Sequence, residues 1–524
     1  MPLKRRTTEQ DNLLAAPREV AAAPRRVRRQ RAPLIPTRRT LRVLGLGFAA
    51  LALAVISLPL LVRAGRFRPA MIAELSALTG RHVEMGGLSY SLISGALVAS
   101  DFTIADDPAF GRAPFLQAKR VYFRTGYRAL LFGREPEVTS VTFQSPTILL
   151  KEDGSARWNF YSLLEHASKA TPDAMPAALR IEGGRIGVES LDTQRSVGLT
   201  DAQLDLPAMA LRGAAPFSLS ATAGGKGRLK VNGTAGPVTW EGRMPVIPVS
   251  ALISLQNADL ARANAPGAPE ALGGVISLDG SLESDGRIAH LNGQMRSRKL
   301  RLSQYGTAAP DKLDAEFSLH YDLHTHAGAL DRCDIAVAKG TASLEGRYSG
   351  GHESPLLDLR LSVNGAPATQ LAQFLPALGF PLPGRSGMEG GVVVADLTVH
   401  GSVEHPEIAG LLEVDGAKLT QFDIASKMSA VEDLNVGDLG TGVEVLSWKS
   451  TIQTVARGLE LNGLDVAITG LGELTGSGVI SPGGTLDFRM NGTRGLTGPK
   501  GTPIPFSVQG TTADPVFREL PRTD

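Results

Sequence analysis

The sequence predicts a mainly β protein of elongated form, tethered behind one N-terminal transmembrane helix. Three observations carry that expectation: an uncharged apolar run near the N-terminus, alternation of apolar and polar residues over most of the chain beyond it, and 59 glycines in 524 residues. Period-two alternation gives a strand one oily and one wet face, and turn residues every 8 to 12 positions or so mark an all-β chain.

The apolar run is Val43–Val62, set between Arg42 and Arg63. At about 1.5 Å rise per residue, a helix of that length crosses a hydrocarbon core of roughly 30 Å. Residues 1–42 are rich in arginine, with Glu9, Asp11 and Glu19 as their acidic residues, so the positive-inside rule keeps this tail cytoplasmic and exports the chain from about residue 64 onward. Two cleavable-signal readings compete: Val62-Arg63-Ala64 weakly fits a cleavage site, and Thr37-Arg38-Arg39-Thr40-Leu41 weakly resembles a twin-arginine signal. The run is longer than a secretory apolar region and its leader far longer than an ordinary one, which favours a permanent anchor.

The net charge of +2 hides an asymmetry, because residues 1–63 hold 13 basic and 3 acidic residues and the remainder carries −8. That balance gives no basic nucleic-acid surface. By composition, Leu14–Arg39 is disordered; setting topology is the favoured role of the tail, with attraction to an anionic leaflet the competing one. The single cysteine, Cys333, excludes an intrachain disulfide framework, so apolar burial alone stabilises the exported part.

After the anchor, residues 66–80 read as a helix, with Pro69 in its first turn, Met71, Leu75 and Leu78 on one face, and Gly80 as its stop. Short strands follow around Val83, Phe102, Val121, Val141 and Ile148, with a brief helical interruption at Tyr127–Phe132. The span 178–515 reads almost wholly as short strands, about thirty at roughly eleven residues each, followed by a tail at 516–524. Val249–Leu260, Ala368–Leu378 and Asp423–Leu434 are helical candidates that cover a sheet edge or end.

An internal duplication places copies near 248–300 and 367–419. Ser250-Ala251-Leu252 answers to Thr369-Gln370-Leu371, Gly273-Gly274-Val275 to Gly390-Gly391-Val392, Ile288-Ala289 to Ile408-Ala409, and Lys299-Leu300 to Lys418-Leu419. Chance recurrence in glycine-rich β sequence is the competing explanation; stacked repeats give an extended body.

From the membrane helix to residue 163 the chain resembles the amino-terminal part of the AsmA family of bacterial cell-envelope proteins. The residues that carry the likeness are Leu78-Thr79-Gly80-Arg81 with Val83, the Tyr127–Gly133 segment, Pro146-Thr147-Ile148-Leu149-Leu150, Asp153-Gly154 and Trp158-Asn159. Gly416-Ala417-Lys418-Leu419, running through Phe422-Asp423-Ile424, and the segment from Ile504-Pro505 to Pro515 look like the family's carboxy-terminal region. The resemblance implies an inner-membrane protein whose periplasmic part is an elongated, curled antiparallel sheet with an apolar groove, related to bridge-like lipid transfer proteins and associated with outer-membrane assembly and phospholipid transport. Members vary widely in length, and this chain stands at the short end.

A groove of this kind has a physical rationale, since an acyl chain of about 16 carbons costs on the order of 10 kcal/mol to carry through water unshielded. The candidate lining residues are Phe317, Leu319, Tyr321, Leu323, Leu357, Leu359, Leu361, Val363, Val393, Leu397 and Val399, all at alternate positions of clear strands. Strands shared between two walls give a trough of roughly 70 Å. Periodicity alone favours a dry β-sandwich, the general expectation for alternating strands, and it is the family resemblance that favours the groove.

No catalytic constellation is evident, and no cofactor or metal is called for. His320, His324 and His326 with Asp322 are the most metal-like cluster, but alternate positions on one strand splay apart and read as a wet face. Gly470, Gly472 and Gly476 lack dinucleotide-binding spacing, and Gly498-Pro499-Lys500-Gly501-Thr502 lacks a full phosphate loop. Cys333 reads as a small core residue and Trp158 as a packed aromatic. The expected role is non-enzymatic: binding or passing membrane phospholipids, with an envelope scaffold that regulates protein targeting or insertion as the alternative.

Overall fold

The computed structural model describes residues 64–521, apart from 92–93, 126–137, 156, 171–177, 192–195, 208–212, 264–271, 304–305, 351–355, 379–381, 383–385, 403–404, 432–433, 435–441 and 495–501. The tail, the Val43–Val62 anchor, Tyr127–Phe132 and residues 498–501 lie outside the described residues. Among the described helices none is long and apolar enough to cross a membrane. From Pro59 onward the chain forms one compact unit.

Most described residues belong to one elongated, curled sheet of 25 strands, joined by a few short helices. Its order nearly follows the sequence. From Ala178–Ser190 to Pro515–Glu519 each strand pairs antiparallel with the next, except that a small hairpin, Thr239–Glu241 with Met244–Val246, projects between Gly227–Ala235 and Val249–Asp259. Consecutive pairing of this kind needs only short reversals and leaves no crossing connections.

The antiparallel expectation needs one correction. Ala178–Ser190 takes Val138–Gln144 and then Thr147–Glu152 as parallel neighbours along its length. A parallel pair requires a crossover, and helix Tyr161–Lys169 supplies it. Through this βαβ unit the sheet passes unbroken from the segment before residue 163 into the segment after 178.

Helix Arg68–Thr79 forms where expected, with Pro in its first turn and Gly80 as a left-handed cap at φ 64°. It buries Met71 against Val83, Leu97, Val121 and Phe123, while Ile72 and Leu75 pack at the margin. A second dry core lies at the other end of the sheet, where Met428, Val431 and Leu434 cover Ile452, Leu461, Phe506 and Phe517.

Val249–Leu260 is not a helix. It is the strand Val249–Asp259, because Val249, Ala251, Ile253 and Leu255 fit period two, and the Leu252 that a helical stripe would bury points outward, 68 % exposed. Ser250–Leu252 therefore has no counterpart in Thr369–Leu371, which is helical. Gly273–Ser284/Ile288–Arg301 and Gly387–Ser402/Pro406–Thr420 are both antiparallel hairpins, and each follows a short helix.

Twenty-one strands, not about thirty, lie between Ala178 and Glu519 among the described residues. The reason is where the glycines sit. Gly233, Gly280, Gly293, Gly346, Gly410 and Gly478 are inside strands, not in the turns that glycine content predicts. A Cβ at Gly280 would lie 2.5 Å from the Asn292 carbonyl oxygen, and one at Gly293 2.6 Å from that of Asp279. Neighbouring backbone crowds these positions, so only glycine fits and the sheet can curl there.

Gly410→Ala, at φ 151° and against the Asp396 carbonyl, is expected to destabilise the fold by about 1–3 kcal/mol. Gly198→Ala, with open space around its Cβ position, should change stability by less than about 0.5 kcal/mol. Thermal unfolding of the two variants checks this contrast.

Candidate functional apolar trough

The register of the ladders brings distant apolar residues into continuous rows across the sheet. One row begins with Leu88, Ala99, Val121, Phe143 and Ile181. It continues through Leu204, Leu219, Val231, Ile253, Gly280 and Gly293. Phe317, Cys333, Leu344, Leu361, Leu397 and Gly410 follow. Ile452, Leu461, Gly478, Phe488, Val508 and Phe517 complete it. Every member is apolar or glycine, from one end of the sheet to the other.

Burial changes along this row. Ala99, Val121, Phe143 and Ile181 are buried in the first core, and Ile452, Leu461, Phe488 and Phe517 in the second. Between Leu204 and Gly410 every member except Cys333 is only half-buried. Twelve strands separate the two dry ends, so at about 4.8 Å per strand the open stretch follows the curl for roughly 50 Å. Shared between two walls, as the expected 70 Å assumed, twelve strands give only roughly 30 Å, because both ends are plugged and the strands are fewer.

Parallel rows widen the stripe. Leu229, Leu255, Leu278, Met295, Ala315 and Ile335 run beside it on one side; Leu282, Leu291, Leu319 and Leu330 run on the other. The opposite face of the same strands carries Lys230, Asn232, His290, Glu316, Arg360 and Asp396, all exposed. Arg360 Nε donates to Asp396 Oδ1 at 2.8 Å and holds that carboxyl below its ordinary pKa. Such surface pairs contribute little to stability. They keep one face wet while the other stays oily. A dry sandwich would bury the whole oily face against a second sheet; in the described middle section the central row stays half-buried, while Ala315, Val363 and Val393 beside it are buried, the two valines packing with helix Ala368–Ala372.

Of the sequence-chosen lining residues, Phe317, Leu319, Tyr321, Leu357, Leu359, Leu361, Val363, Val393, Leu397 and Val399 share this face. Leu323 does not join them. Its strand ends at Asp322, whose carboxylate accepts the N–H groups of His324 and Thr325 and turns the chain, leaving Leu323 in the turn. The same turn separates the histidines. His320 stays on the wet face, 2.8 Å from Asp331, whereas His326 Nδ1 meets the Tyr321 hydroxyl at 2.8 Å. Among the described residues no group of three or more His, Cys, Asp or Glu side chains is placed to hold a metal. Cys333 lies in the apolar row, where burial raises its thiol pKa. Trp158 packs on Phe160 with ring centroids 5.8 Å apart.

Sequence reasoning missed the polar anchor of the first core. Asp106, fully buried, accepts from Lys151 Nζ at 3.0 Å and from Asn159 Nδ2 at 2.9 Å, and pairs with Arg81 Nη1 at 3.5 Å. Arg81 also donates to the Asn159 carbonyl and to Ser162 Oγ. Burial lowers the Arg81 pKa against the opposing pull of Asp106 and Asp107. Arg81 and Asn159, two of the residues on which the family likeness rests, thus converge on one carboxylate. They fasten the end of helix Arg68–Thr79, the strand Thr147–Glu152 and the start of helix Tyr161–Lys169.

Compared with known proteins, the chain matches no protein-family model, no curated protein and no solved structure.

Proposed function

We propose that the middle of the sheet is a trough for lipid acyl chains. On this reading the protein is anchored in the inner membrane of a double-membrane bacterium by Val43–Val62, with residues 64–524 in the periplasm. It binds or passes phospholipid in support of outer-membrane assembly, as its resemblance to the AsmA family implies.

The observation that supports this reading is the half-buried middle of a continuous apolar row whose two ends are dry. Each CH₂ withdrawn from water is worth about 0.8 kcal/mol, so an uncharged strip this long offers an acyl chain more than it offers the free protein in water. Among the described residues the row itself holds no acid, base or nucleophile between Leu204 and Gly410 apart from the buried Cys333, which suits carriage and not conversion.

The full-length protein, purified in mild detergent, is expected to carry phospholipid detectable by mass spectrometry after organic extraction. Protein that is folded, lipid-free and unable to take up lipid from vesicles contradicts the trough and favours a scaffold.

A further inference from the structure

Among the described residues the sheet meets itself at a place that the ladder register does not account for. Glu152 ends the strand that lies beside Ala178–Ser190, and His326 follows Leu313–Asp322, eight ladders farther along. Along the sheet that separation is on the order of 40 Å. Yet His326 Nε2 lies 2.9 Å from Glu152 Oε1, close enough for an ion pair although not aligned as a hydrogen bond, while its Nδ1 holds the Tyr321 hydroxyl. Helix Tyr161–Lys169 touches Met244–Val246, and Arg287 pairs with Glu241 in the same small hairpin. The strands between are therefore coiled into a collar whose inner wall carries the first half of the open row.

This seam is unlike the rest of the collar. Backbone ladders close every other junction, whereas here Glu152 and His326 meet as partly exposed side chains, with Tyr321 and Tyr348 at the rim of the apolar face, ring centroids 6.5 Å apart. An acyl chain can lie inside a collar, but the headgroup bonded to it stays in water. A lipid that enters or leaves the collar sideways must then draw its headgroup through the seam. Glu152 and His326 stand in that path.

We propose that the seam is the slot through which a lipid headgroup passes, with Glu152, His326 and Tyr321 as its latch. The proposal rests on the acyl-chain reading of the trough. Glu152 comes from one side of the seam; Tyr321, Asp322 and, behind them, Tyr348 come from the other, and the Tyr161 hydroxyl faces Glu152. The contact with Glu152, more than offsetting burial, raises the His326 pKa above its usual 6.5. The imidazolium–carboxylate latch is thus fully engaged below about pH 6.5 and released as pH rises through the raised value. The Tyr161 and Tyr321 phenols, pushed up to about 12 by burial, do not titrate in that range.

The test uses full-length protein carrying Cys333→Ala, Glu152→Cys and His326→Cys, joined by a short reducible bis-thiosulfonate, since side chains that meet at their tips are too far apart at Cβ for a disulfide. Lipid content and the exchange of fluorescent phosphatidylethanolamine with vesicles are measured before and after reduction. With the latch locked, bound lipid should be retained and exchange slowed at least about tenfold, with recovery on reduction. Equal exchange in the locked and reduced states overturns the slot. Absence of lipid in both states, in protein that is folded, overturns the trough itself. As a second arm, His326→Gln should exchange rapidly at both about pH 6 and about pH 9, whereas the unmodified protein should accelerate toward the higher value. A pH step of the same size in both proteins also overturns the latch.

Discussion

Leu361→Asp in the full-length protein is expected to reduce bound phospholipid at least tenfold while leaving the fold intact. Leu361 stands in the middle of the open row, directly opposite Leu344 on one side and Leu397 on the other, and is half-buried. In free protein a carboxylate there keeps much of its water. An acyl chain laid over it strips that water away, and burying an unpaired charge against hydrocarbon costs several kcal/mol, where each 1.4 kcal/mol is a factor of ten in affinity. Asn292→Asp, exposed on the wet face, adds the same charge and should leave lipid content unchanged. Lipid phosphorus per mole of protein, with circular dichroism on both variants, decides the matter. Equal loss in the two, or none in Leu361→Asp, contradicts the assignment of the inner face.

Asp106→Ala is expected to be the most destabilising single change in the first core, by about 3–5 kcal/mol, because it strands Lys151 and Arg81 without their shared anion. Asp106→Asn should be milder, since the amide keeps hydrogen-bonding capacity, yet still costly because the charge is lost. Hydrogen exchange should locate the damage in the helices Arg68–Thr79 and Tyr161–Lys169, with Pro515–Glu519 unaffected. Uniform loss of protection over the whole chain would mean that the sheet unfolds as one unit.

The oily and wet faces were legible residue by residue, since alternation such as Leu357-Asp358-Leu359-Arg360-Leu361 leaves no other assignment on a strand. The continuous row was not. It depends on the register of many successive ladders, and register is set by turn lengths and bulges, such as the slip between Ser318 and Leu319, that periodicity does not encode. Leu323 extends the alternation in sequence by one residue past the Asp322 turn. Strand-interior glycines look like turn markers in sequence because their reason is three-dimensional: the neighbouring backbone, far away in sequence at Gly233 and Ser250, occupies the space of a Cβ. Asp106 carries no local signal either. Only the presence of Arg81 and Asn159 in the family-like motifs pointed to that region, and nothing in their spacing named the partner.

Lipid contact on the inner face is the central claim, and site-specific photocross-linking tests it most directly. Benzoylphenylalanine at Leu361 and, separately, at the adjacent outward-facing Arg360 would be irradiated in intact cells, and the purified protein analysed by mass spectrometry for a phospholipid adduct. A lipid adduct at Leu361 and none at Arg360 is the predicted result. Adducts at neither position, or equally at both, would contradict the trough.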